Sequence, residues 1–408
     1  MRPKVLILVE WYLPGYKAGG LVTATLNVIE SLGETFEFFV ITRDRDLTDE
    51  RPYPHTRCDE WVSVSQAKVL YTADFSFRHL RRRILEIAPD MVYLNSFFSV
   101  LTVKTLTLRW LGLLPCCPFV VAVHGEFSPG ALKLKRWKKW PYSNLALRGG
   151  LYGDVVWHAT SELEREHIAA MLRAAGRLKH SRVLLASNAP NLALLRQFDR
   201  SAKPPKLSGA AKFLFLSRIS PKKNLSFALE MLAKLIGRVE CDICGPADDQ
   251  AHWQECQQQI AALPGNVTAR YHGAIPPESI LQFATGCHFL LLPTLGENFG
   301  YVILEAMAAG CPVVLSDRTP WNDLQPRSAG WSLPLEDREQ WRQVLQQCVD
   351  MDQETYQTFS LQARQYFERW VSTNGARDEM IELFHSALAR KAPASVPRDL
   401  AESAEAPR

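Results

Sequence analysis

Gly296-Glu297-Asn298-Phe299-Gly300-Tyr301-Val302-Ile303-Leu304-Glu305-Ala306-Met307-Ala308-Ala309-Gly310-Cys311-Pro312-Val313-Val314 is the stretch that decides how this chain is read. Two carboxylates, Glu297 and Glu305, stand in it with seven residues between them. Glu297 lies in a glycine-flanked loop, and Glu305 lies in a short run that reads as helix. Gly310-Cys311-Pro312 stops that helix, and a buried strand follows. The first N–H groups of a helix have no intrahelical partners and point at whatever lies ahead of it. A loop carboxylate, free N–H donors and a second carboxylate deeper in the helix form a site for a ligand rich in hydroxyls.

Outward from this stretch the chain alternates strand and helix. Lys4–Val9, Phe36–Thr42, Lys68–Tyr71, Met91–Leu94, Phe119–Val123, Trp157–Thr160 and Val183–Ala186 read as strands of a first half. Phe213–Leu216, Glu240–Cys244, Val267–His272, Phe289–Leu292 and Val313–Ser316 read as strands of a second. Continuous apolar runs separated by helical patterns indicate buried parallel strands. A composition shift around Lys203-Pro204-Pro205-Lys206 and Ser208-Gly209 marks a linker. The predicted layout is a first domain over 1–190, a linker over 191–211 and a second domain over 212–370. A helix over 371–390 and a disordered tail over 391–408 complete it. Two such halves leave a cleft between the carboxyl ends of their sheets, where ligands of these folds bind.

The 408 residues suit two domains, and a 47% apolar, 22% charged composition is that of a globular protein. A net charge of +4 does not suggest a nucleic-acid binder, but it favours an anionic ligand or lipid surface. Nine scattered cysteines fit buried thiols in a reducing cytoplasm. Cys241-Asp242-Ile243-Cys244 has ligand spacing, but it sits in a strand without the four ligands that zinc requires. The N-terminal apolar run is too short for a signal peptide. The uncharged stretch Trp110–Val123 is too short to cross a bilayer and contains two prolines, so any membrane contact is expected to be peripheral.

Arg218-Ile219-Ser220-Pro221-Lys222-Lys223-Asn224 follows a strand and opens a helix. Arg218 can grip phosphate oxygens in a bidentate fork and Lys223 adds a point charge; alone, the pair would equally suit a solvated helix start. Gly19-Gly20 precedes the first helix, where glycine permits close backbone approach to a phosphate or sugar. The spacing is not that of a dehydrogenase fingerprint. His124, at a strand's carboxyl end before Gly125-Glu126, is expected to face the cleft. Lys133-Leu134-Lys135-Arg136-Trp137-Lys138-Lys139-Trp140 interleaves cations with apolar residues and suits an anionic membrane face or a packed surface helix.

Together these motifs resemble retaining nucleotide-sugar glycosyltransferases of family 4, of the bacterial surface-polysaccharide type. The resemblance implies an α/β GT-B fold: two Rossmann-like domains whose parallel sheets face each other across a cleft. It implies that Arg218 and Lys223 hold the diphosphate of a nucleotide sugar, with Gly19 and Gly20 packed against it. Glu297 would accept hydrogen bonds from the sugar, helped by the N–H groups of Asn298, Phe299 and Gly300. Glu305 would grip the ribose, and His124 would sit beside the transferred sugar. Asn224 stands where the family usually has glycine. The implied reaction moves a sugar, with retention, to an acceptor hydroxyl of a polysaccharide or lipid-linked sugar. It uses no cofactor and no metal, so no metal ligands are assigned. The final helices, Glu354–Val371 and Gly375–Arg390, would cross back onto the first domain. A non-catalytic nucleotide-sugar binder and a nucleotide-sugar epimerase or hydrolase remain alternatives. Lys223→Ala and Glu297→Ala are expected to cripple transfer with little thermal shift, each facing an open cleft.

Overall fold

A computed structural model describes residues 1–133, 136–188 and 203–389. The predicted tail, most of the predicted linker, and Leu134 and Lys135 lie outside these residues.

The first half forms strands β1 (Lys4–Leu8), β2 (Glu37–Arg43), β3 (Trp61–Val64), β4 (Ala67–Thr72), β5 (Met91–Asn95), β6 (Phe119–Ala122), β7 (Val156–Ala159) and β8 (Arg182–Leu185). They lie in the order β3-β4-β2-β1-β5-β6-β7-β8, parallel except β3, which pairs antiparallel to β4. The second half forms β9 (Ala210–Leu216), β10 (Arg238–Cys244), β11 (Val267–Tyr271), β12 (Phe289–Leu292), β13 (Val313–Ser316) and β14 (Gly330–Leu333). Their order is β11-β10-β9-β12-β13-β14, all parallel. Both sheets are sandwiched by helices, and for that reason β1, β5, β6, β9, β12 and β13 are apolar almost end to end. β3 and β14 are not anticipated by the sequence pattern, being short and apolar over only part of their length.

The described end of the predicted linker is strapped down. The Lys206 ammonium is buried and donates to the carbonyls of Leu207, Val349 and Met351 at 2.7–3.0 Å. Lys203 donates to Ala284 and Cys287.

The two terminal helices part company. Gln353–Thr373 stays on the second domain, against expectation, because its buried face (Tyr356, Ala363, Tyr366, Phe367) completes that domain's core. Its Ser360 hydroxyl donates to Gly310 O, and Arg364 donates to Ala308 O, meeting carbonyls at the end of the carboxylate helix. Helix Ala376–Leu388 crosses to the first domain, where Met380, Leu383, Phe384 and Ala387 enter the core. The Phe384 ring lies 5.3 Å from Phe36 and 5.6 Å from Tyr93.

Candidate functional site

β9 and β12 are neighbours, so the loops leaving their carboxyl ends emerge side by side. A turn binds them together: the Leu295 N–H and Thr294 hydroxyl both donate to Lys222 O, at 2.8 and 3.1 Å. The clamp brings the Lys223 ammonium directly onto the Glu297 carboxylate, with only 13% of either side chain exposed. Burial would raise the Glu297 carboxyl, but Lys223, Lys222 and the Asn298 N–H outweigh it and hold it below the usual range. Among the described residues the Lys222 ammonium has no hydrogen-bond or ion-pair partner. Burial and its cationic neighbours Lys223, Arg218 and Lys139 hold it below the ordinary lysine range, against the pull of Glu297. Lys139 belongs to the first domain, so cations from both halves converge here.

Arg218 follows β9 and is half exposed. It pairs at 3.0 Å with Asp248, on the loop after β10. Asp248 carries no motif and is not anticipated by the sequence. Gly300 has φ +82°, and a Cβ there would meet Ile303 at 2.7 Å and Glu297 at 3.0 Å. Only glycine fits this cap of helix Tyr301–Ala308. Phe299 anchors the loop from behind, packed on Trp321 and Trp370, and its carbonyl accepts from the Trp321 indole N–H at 2.6 Å. The Asn298 N–H, expected to face a ligand, is taken by the Glu297 carboxylate at 3.2 Å.

Glu305 lies in the second half of helix Tyr301–Ala308 and is 9% exposed. Burial alone pushes its carboxyl up to about 7. Across the cleft, Gly19 precedes helix Gly20–Leu32. A Cβ on Gly20 would lie 3.7 Å from the Tyr301 ring, and Tyr301 also meets Asn27 of that helix. The Tyr301 ring, at the start of one domain's helix, therefore packs along the first helix of the other, and each helix N-terminus by itself favours an anion.

His124 follows β6 in a left-handed conformation (φ +47°). Its Nε2 lies 2.8 Å from Oδ1 of Asn95, at the end of β5, in the hydrogen-bonding sense Nε2–H to Oδ1. Burial keeps the imidazole neutral, pushing it down to about 4. Asn95, 2% exposed, is a site residue that the sequence pattern does not single out. Both residues, with His158 and Tyr93, line a small enclosed cavity beside the cleft. Glu126 accepts from Ser96 Oγ and the Phe97 N–H at 2.6 Å each and braces the same strand ends.

Asp-x-Asp, expected to be absent from the chain, occurs twice, at Asp44-Arg45-Asp46 and Asp350-Met351-Asp352. All four aspartates have structural tasks. Asp44 pairs with Arg45, and Asp46 accepts from the N–H groups of Tyr16, Lys17 and Leu47. Asp350 accepts from Gln346, and Asp352 caps helix Gln353–Thr373 through the Thr355 N–H.

Paired α/β domains with cations, carboxylates and helix N-termini at the cleft define a GT-B glycosyltransferase architecture. Residues 18–180 match the family model Glycosyltransferase Family 4, and residues 197–366 match Glycosyl transferases group 1. Most of the chain is thereby accounted for, and it belongs to family 4 of the glycosyltransferases. The phosphatidyl-myo-inositol mannosyltransferase of Mycolicibacterium smegmatis is 32% identical over 34% of this chain and 36% of its own length. The chain thus aligns with little more than a third of that relative. Sucrose-phosphate synthase from Thermosynechococcus elongatus superposes with a TM-score of 0.68 at 17% identity, over 95% of this chain and all of that one. Anabaena HepE, solved with UDP-glucose, superposes with a TM-score of 0.64 at 18% identity, over 95% and 100%.

The burial of the Lys223–Glu297 pair revises one expectation, since neither residue faces open solvent. Lys223→Ala leaves a buried carboxylate without its main partner and should cost about 2–4 kcal/mol in thermal or urea unfolding. Removing both charges with Lys223→Met and Glu297→Gln should recover most of that loss.

Glu305 makes a second measurement possible. Its folded pKa of about 7 lies above the ordinary 4.5, so the folded state holds the proton more tightly. Its contribution is full below pH 4.5 and is lost as pH rises to about 7, by at most about 3 kcal/mol. Urea unfolding of Glu305→Gln should lack that decline. An unchanged slope would show that Glu305 titrates normally.

Proposed function

We propose that the protein transfers a sugar from a nucleotide-diphosphate sugar to an acceptor hydroxyl, with retention at the anomeric carbon. The buried Lys223–Glu297 contact, with the Lys222 ammonium beside it in the field of Arg218 and Lys139, is the observation that supports this reading. As the glycosidic bond breaks, negative charge gathers on the departing diphosphate while the sugar becomes oxocarbenium-like. Cations and helix termini already set in place lower that barrier without reorganising. Arg218 and Lys223 take the diphosphate, and Glu297 takes sugar hydroxyls once Lys223 turns to phosphate. Glu305 takes the ribose hydroxyls. The neutral His124 contacts the sugar from the other side. The departing phosphate oxygen accepts the acceptor's proton on the same face, so no separate base is assigned. The cationic work falls to side chains, and the reaction is read as metal-independent and cytoplasmic, in surface polysaccharide or glycolipid synthesis.

A thermal-shift screen against nucleotide-diphosphate sugars, followed by product analysis with hydroxyl acceptors, tests the reading. The wild type should be stabilised by one donor and form an α-linked product from an α-linked donor, at the same rate in EDTA. Lys223→Ala should lose about 10²–10³ in transfer rate. Donor consumption that is indifferent to any acceptor would favour an epimerase or hydrolase instead.

The acceptor side presents a second feature. Helix Arg136–Arg148 exposes Trp137, Trp140 and Leu145 at 74%, 63% and 78%, with the Lys138 ammonium 4.7 Å from the Trp137 ring centroid. Aromatic side chains beside cations suit the interface of an anionic bilayer, and the acceptor is read as lipid-linked. Among the described residues no helix is long and apolar enough to cross a membrane. Vesicles containing phosphatidylglycerol should sediment the protein where phosphatidylcholine vesicles do not, and Trp137→Ser with Trp140→Ser should abolish this.

A further inference from the structure

The Asn298 side chain is not spent on the ligand pocket of its own domain. Its Nδ2 reaches across the cleft to Thr160 Oγ1 at 2.9 Å. Thr160 follows β7 and is 5% exposed. Its hydroxyl donates its one proton to Glu164 Oε2 at 2.7 Å, and its N–H donates to the same oxygen at 2.8 Å. Because that proton is committed, the Thr160 oxygen can only accept from Asn298, which fixes the direction of the chain. Glu164, 1% exposed, uses its other oxygen to accept from the Gly125 N–H. Gly125 is the residue after His124. Its φ of +76° suits glycine, and a Cβ there would stand 3.0 Å from Asn298 Cβ. The loop carrying Glu297 and the loop carrying His124 are thus joined by one unbroken run of hydrogen bonds, through Thr160 and Glu164, which no motif identifies.

We infer that Thr160 and Glu164 are positioning residues, forming with Asn298 an interdomain latch that seats the His124 loop against the donor loop when the cleft is shut. The inference rests on the reading of the cleft as a donor-sugar site. In the open cleft Asn298 loses Thr160, and nothing from the second domain then fixes the Thr160 hydroxyl or, through Glu164, the Gly125 N–H. Closure adds the Asn298–Thr160 bond to a Thr160–Glu164–Gly125 run that lies within the first domain. The His124 loop, already braced by Glu164, is thereby tied to the loop that carries Glu297, so the sugar is enclosed from both sides in one step and water is excluded before transfer. A polar chain of this kind is worth most when complete, because each partner left behind is buried.

Thr160→Val removes the hydroxyl at nearly constant volume, and Thr160→Ser restores it. Two measurements decide the matter. In steady-state transfer, Thr160→Val and Asn298→Ala should lower kcat about tenfold or more, with UDP affinity by calorimetry unchanged. Thr160→Ser should recover most of the rate. In hydrogen–deuterium exchange the peptide spanning 123–127 should exchange faster in Asn298→Ala, which removes only the interdomain bond, as well as in Thr160→Val, and at the wild-type rate in Thr160→Ser; an unchanged rate in Asn298→Ala would overturn the latch. Thr160→Val matching the wild type in both measurements would overturn the latch. So would Thr160→Ser behaving as badly as Thr160→Val, since the hydroxyl would then be irrelevant. If the wild type transfers no sugar, the proposed function fails and the exchange experiment still decides the latch by itself.

Discussion

Two opposite charges withdrawn from water, Lys223 and Glu297, set the terms for the rest of the second domain. Such a pair is tolerable only where the backbone holds both partners in register, since either alone would be a buried, uncompensated ion. The sheet supplies that register by placing β9 beside β12, and the bonds from Leu295 and Thr294 to Lys222 O lock the two loops together. The Phe299 anchor and the Gly300 cap keep the carboxylate loop from relaxing outward. The pair also makes the centre of the site neutral, with the Lys222 ammonium beside it to attract an anion.

The first domain answers with polar groups of another kind. Asn95, His124, Thr160 and Glu164 come from the carboxyl ends of β5, β6 and β7, or just beyond. They are neutral or hydrogen-bonded where the second domain is ionic. Parallel strands make this possible, because every one of these ends opens on the same edge of the sheet. Left-handed backbone at Ser96, His124 and Gly125 turns the chain sharply there instead of continuing the strand.

Much of this architecture is legible in the sequence because buried parallel strands are uninterrupted apolar runs. Lys4–Val9, Phe119–Val123 and Phe289–Leu292 announce themselves in that way. β3 does not, since it is an edge hairpin with one face in solvent, and neither does β14, four residues of which one is glycine and one serine. Arg218, Lys223, Glu297 and Glu305 stand out only through the resemblance of the motifs around them, and the structure brings Lys223 and Glu297 into contact. Asp248, Asn95, Thr160 and Glu164 are not legible, because their partners lie on strands far apart in sequence and their own neighbours have no unusual composition. The buried state of the Lys223–Glu297 pair is equally invisible to spacing, which says where charges lie along the chain and not whether water reaches them. Nor does amphipathic pattern say which domain a terminal helix will join. Gln353–Thr373 and Ala376–Leu388 look alike in sequence and dock on opposite halves.

The crossing of that last helix has a consequence for dissecting the molecule. Phe384 fills a slot walled by Phe36, Phe38 and Tyr93, while Arg377 reaches the Ser31 carbonyl and Glu379 takes the Ser187 N–H. The amino-terminal lobe is consequently finished by residues that follow the whole second domain in the chain. A fragment cut after the eighth strand would emerge with an open aromatic furrow and self-associate, whereas one given the 376–388 segment in trans would have the missing wedge returned. During synthesis, too, the first lobe stays incomplete until the ribosome has passed the second domain and made the 376–388 segment.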